Sequence, residues 1–118
     1  MSSIQKADIQ LAAGRVQEAL QVVKHRMGDS SEMMKALRGI ESSLAILLQM
    51  ANTPKSQVRE QMNKIEFQNF EFYFNALKVD FNGRKKDTVY HFLKTPILNV
   101  ILSVEPIIKY LRGFKFLN

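Results

Sequence analysis

One arginine and one histidine stand close enough along this chain to act on the same phosphate. Arg84 and His91 are separated by the six residues KKDTVY. An imidazole titrates near neutrality and can give or take a proton, and a guanidinium binds a phosphate through two parallel N–H bonds. The surrounding stretch, FNGRKKDTVYHFLK over residues 81–94, also holds Lys85, Lys86 and Lys94. It therefore reads equally as a basic patch that neutralises phosphates without any chemistry. A second cationic run, Lys24, His25 and Arg26, lies sixty residues earlier in the chain.

Other chemistries find no support in the residues. The 118-residue chain has no cysteine, which removes thiolate-zinc sites, thiol catalysis and disulfides together. Its two histidines lie on different segments, and no Glu-x-x-His pair of the helical di-iron kind occurs. The five glycines are isolated and build no phosphate loop, and no serine sits on a nucleophile elbow. We expect no metal and no cofactor. The Arg84 and His91 spacing resembles that of helical ribonucleases of the HEPN class, which carry this pair near the start of a helix. The resemblance implies His91 acting on the 2′-hydroxyl or leaving oxygen, with Arg84 supporting the phosphate. It covers those two residues, and Lys85 departs from the small polar residue usual there.

The elements that must position these groups follow from periodicity. Ile9, Ala12, Val16, Leu20, Val23 and Met27 recur at three- and four-residue intervals, one face of a helix that Gly28 ends. Asp29 and Glu32 fit a capping box opening a second helix, with Met33, Leu37, Ile40, Leu44, Leu47 and Ala51 on its inner face. Thr53 and Pro54 suit the cap and first residue of a third helix. In that third segment Phe67, Phe70, Phe74, Leu77 and Phe81 hold helical spacing, while Ile65, Phe72, Ala76 and Val79 lie nearly opposite. The same stretch is rich in strand-favouring phenylalanine, and Asn82-Gly83 is a hairpin signal.

A fourth segment starts near Asp87, restarts at Thr95-Pro96, and carries Pro106, which should kink or break it. It is apolar around most of its circumference, so it is expected to be the most buried helix, and too interrupted to span a bilayer. Four segments of similar length joined by short breaks predict a single all-α domain over residues 1–118, a compact four-helix up-down bundle. The alternative is an α+β fold with a hairpin around Asn82-Gly83.

Charge sharpens the functional expectation. The net charge is +6, and residues 83–118 carry seven basic against two acidic side chains. In an up-down bundle the first and third helices end at the same pole, which gathers Lys24, His25 and Arg26 with Arg84, Lys85, Lys86 and Lys94. A helix starting after them would add unpaired N–H groups for an anion. We therefore read the chain as a non-enzymatic basic protein binding nucleic acid, or an acidic protein surface, and expect a homodimer because its second apolar face needs cover. That face, Phe72 and Val79, together with Phe114 and Phe116 in the terminal GFKFLN, supports an alternative role as a protein-binding adaptor or inhibitor. The opening segment MSSIQKADIQLAAG has no continuous apolar core, so a soluble intracellular protein, cytoplasmic or nuclear, is expected.

Overall fold

A computed structural model describes residues 5–51 and 62–113. Helix α1 spans Lys6–Met27, α2 Glu32–Ala51, α3 Lys64–Arg84 and α4 Lys94–Arg112, with a 3₁₀ helix at Thr88–Leu93 between the last two. Among the described residues there is no strand. Helix α1 packs on α2 and on α4, α3 packs on α2 and more lightly on α4, and the 3₁₀ helix rests on α1 and α4. Both α1 and α3 thus end beside the 3₁₀ helix, and the topology is up-down-up-down.

Local chemistry explains each boundary. The Asp8 carboxylate accepts from the Gln5 N–H at 3.0 Å, opening α1. Gly28 closes it with φ +83°, a left-handed conformation that favours glycine, and its N–H donates to the Lys24 carbonyl. Helix α2 is capped by Ser31, whose Oγ accepts from the Met34 N–H at 3.2 Å. The expected capping role of Asp29 is not realised; its carboxylate instead pairs with Arg38 at 3.1 Å. Helix α3 opens on a reciprocal box: Asn63 Oδ1 accepts from the Glu66 N–H, and Glu66 Oε2 accepts from the Asn63 N–H. The start expected at Thr53 and Pro54 lies outside the described residues.

The core is one contiguous cluster. Phe67, Phe70, Phe74, Leu77 and Phe81 are all buried along α3, as their spacing requires. Helical register continues through Asn82 and Gly83 to Arg84, so the hairpin alternative fails. The burial of Phe81 on the inner face holds the chain helical past a local turn signal. Gly39 on α2 lies against the ring of Tyr73 on α3, where any side chain would overlap it.

Of the kink or break expected at Pro106, the break does not occur: α4 runs on to Arg112, and the proline stands on an exposed side of the helix. Nor is α4 the most buried helix. It buries Ile97, Val100, Val104, Ile107, Ile108 and Leu111, but leaves Leu98 and Leu102 exposed, while α2 buries nine residues. A bundle covers one side of each helix, whatever the composition of the other. By length and composition alone, the 25 residues Thr88–Arg112, with an 18-residue window of mean hydropathy 1.2, are long and apolar enough to cross a membrane. In the fold, its inner face completes the core.

Candidate functional site

The pole where α1 and α3 end is built from cations braced by aromatic rings. Arg26, in the last turn of α1, places its guanidinium carbon 4.3 Å from the centre of the Phe92 ring. Arg84, the last residue of α3, places its own 4.8 Å from the Tyr90 ring centre. The two rings, both on the 3₁₀ helix, are 6.3 Å apart and tilted by 48°. End to end, these separations hold the two guanidinium carbons within about 15 Å of each other. One arginine from each of the two cationic runs is therefore held at the same pole.

Each expected residue has a place. Lys24, His25 and Arg26 are exposed in the last turn of α1. Lys85 and Lys86 are exposed in the connection after α3, and Lys94 is exposed as the first residue of α4. Arg84 is half-buried and not a loop cation: its Nε donates to Asp80 Oδ2 at 3.1 Å, one turn back on the same helix. Among the described residues, Lys24, His25, Arg26, Lys85, Lys86 and Lys94 form no ion pair.

The anion site expected at the next helix start is not formed. Asp87 caps the 3₁₀ helix, its Oδ1 accepting from the Val89 N–H at 3.0 Å, so a carboxylate already occupies that end. His91 is exposed on the 3₁₀ helix, and no hydrogen bond joins it to Arg84 among the described residues.

Sequence reasoning missed Tyr90 and Phe92 as braces and Asp80 as the partner of Arg84. The Asp80–Arg84 spacing of four residues is a signal that could have found the ion pair. The rings offered no such signal, because their positions depend on a 3₁₀ turn.

A second feature lies along α3. Ile65, Phe72 and Val79, seven residues apart, are 68%, 66% and 72% exposed. Phe72 and Val79 also line an open groove between α2 and α3, floored by Ala36, Gly39, Tyr73 and Ala76. Phe114 and Phe116 lie outside the described residues.

Fold and site define an all-helical four-helix bundle with an aromatic-braced basic pole. No protein-family model, curated protein or solved structure matches this chain.

Proposed function

We propose that this chain binds nucleic acid through its basic pole, without catalysing a reaction on it. The observation that carries the reading is the bracing of Arg26 on Phe92 and Arg84 on Tyr90, which joins two cationic runs into one surface. A guanidinium over a ring keeps in-plane N–H donors for a phosphate; Arg26 has no ion-pair partner among the described residues, while Arg84 gives its Nε–H to Asp80. Lys24, Lys85, Lys86 and Lys94 surround the pair as exposed point charges. Five or so phosphate contacts give a slope of about −3.5 for log affinity against log salt on a single strand. Anisotropy titration of a labelled oligonucleotide across salt tests this. Lys85→Glu with Lys86→Glu should flatten the slope and weaken binding; absence of binding at low salt sinks the reading.

A second reading, contact with another protein, is favoured by the exposed row on α3. The strip holding Ile65, Phe72 and Val79 is flanked by Gln68, Asn69, Asn75 and Ala76, none of them charged. The groove beside the strip is bordered by Glu32, Lys35, Arg38, Glu66 and Asp80, so a second copy can meet the strip with charges of both signs at its rim. Sedimentation across concentration tests self-association: Phe72→Asp should leave a monomer where the parent dimerises, and a parent that stays monomeric at high concentration removes the dimer.

A further inference from the structure

We infer that the basic pole recognises the phosphate backbone alone, so that base identity is not read and inorganic polyphosphate is an equivalent ligand. The inference rests on the polyanion reading above and narrows its ligand class.

Proteins that hold single strands through their bases do so by stacking each base on an open aromatic face. At this pole both carbocyclic rings are already engaged. Tyr90 and Phe92 are half-buried and pack against the core cluster. Each also has a guanidinium of its own chain over its ring, Arg84 at 4.8 Å and Arg26 at 4.3 Å. What remains outward is mainly positive charge: Arg26 and the ammonium groups of Lys24, Lys85, Lys86 and Lys94, beside a half-buried Arg84 paired with Asp80 and the exposed Asp87 carboxylate. An ammonium is a point charge with rotatable donors, which fits any phosphate oxygen and distinguishes no base. Base-edge readout needs side chains held rigidly at fixed angles in a groove, whereas these lysines are exposed.

The rings on this account are positioning residues. Phe92 acts on the ligand through Arg26, so its loss should weaken every polyanion alike. A ring that stacked a base would matter for nucleic acid and not for a chain of bare phosphates. That difference separates the two roles within one variant.

The test measures competition by inorganic polyphosphate, oligo-A and oligo-U of matched charge against a labelled oligonucleotide on the full chain. Expected affinities agree within about threefold, with a common salt slope, since counterion release sets them. Phe92→Ala should weaken binding of all three by the same factor, with circular dichroism and thermal melting showing that the bundle is retained; His91→Ala should change none of them. Failure of polyphosphate to compete while RNA binds overturns the inference and leaves the nucleic-acid reading standing. So does a difference of about tenfold or more between oligo-A and oligo-U, or a Phe92→Ala loss confined to the oligonucleotides. Binding of none of the three at low salt overturns both.

Discussion

Replacing Gly39 by alanine should destabilise the bundle, although alanine is the better helix former. A Cβ built on Gly39 falls 2.6 Å from Cδ1 of Tyr73 and nearer still to Cγ and Cδ2. Carbon atoms in good contact sit about 3.5–4.0 Å apart, so the gap must open by about 1 Å or more. The colliding atoms are at the root of the ring, which cannot swing clear by turning its far end. Either Tyr73 leaves its place or α2 and α3 separate. Overpacking of this kind costs about 1–3 kcal/mol, and the depth of the overlap points to the upper end. Gly→Ala within a helix returns about 1 kcal/mol, which leaves a net loss of about 2 kcal/mol.

Urea unfolding followed by circular dichroism measures this, with the midpoint falling and the slope unchanged. Gly14→Ala supplies the opposite sign on the same instrument. Nothing lies within 4 Å of a Cβ at Gly14, which is exposed within α1, so that variant should gain about 1 kcal/mol. A cycle with Tyr73→Ala isolates the clash: once the ring is gone, Gly39→Ala should stabilise. An equal loss from Gly39→Ala with and without the ring would refute the argument.

The remaining predictions concern the elements that present the two surfaces. Asn63→Ala removes one half of the capping box that opens α3 and should cost about 1 kcal/mol in the same unfolding assay. Phe74→Ala leaves a cavity at a side chain that is 2% exposed and should cost about 3–5 kcal/mol, enough to lower the melting temperature sharply.

Much of the fold was legible because the inner faces obey one period. Phe67, Phe70, Phe74, Leu77 and Phe81 read as a buried row, and they are one; Phe72 and Val79, read as lying opposite, are exposed. The α2 cap was misplaced because Asp29, Ser30 and Ser31 all have capping side chains. What separates them is a contact nine residues on, where Arg38 takes Asp29 and leaves the cap to Ser31. Composition also overstated the burial of α4, since Leu98 and Leu102 lie on its outer side.

The meeting of the cations was legible from topology alone: in an up-down bundle the first and third helices must end together, wherever their side chains point. The braces were not. Between Asp87 and Leu93 the chain turns about 120° per residue in place of about 100°, so over five steps the register shifts by about 100°. A shift of that size decides whether Tyr90 and Phe92 face Arg84 and Arg26 or face away. It also decides how far these cations are ordered in advance, because a guanidinium held over a ring has already lost much of its rotamer freedom. Ordering a free side chain on binding costs about 0.5–1.5 kcal/mol. On the proposed reading, two uncharged residues contribute to the affinity of a surface defined by charge, and equal numbers of cations placed elsewhere on the bundle would bind phosphates less well.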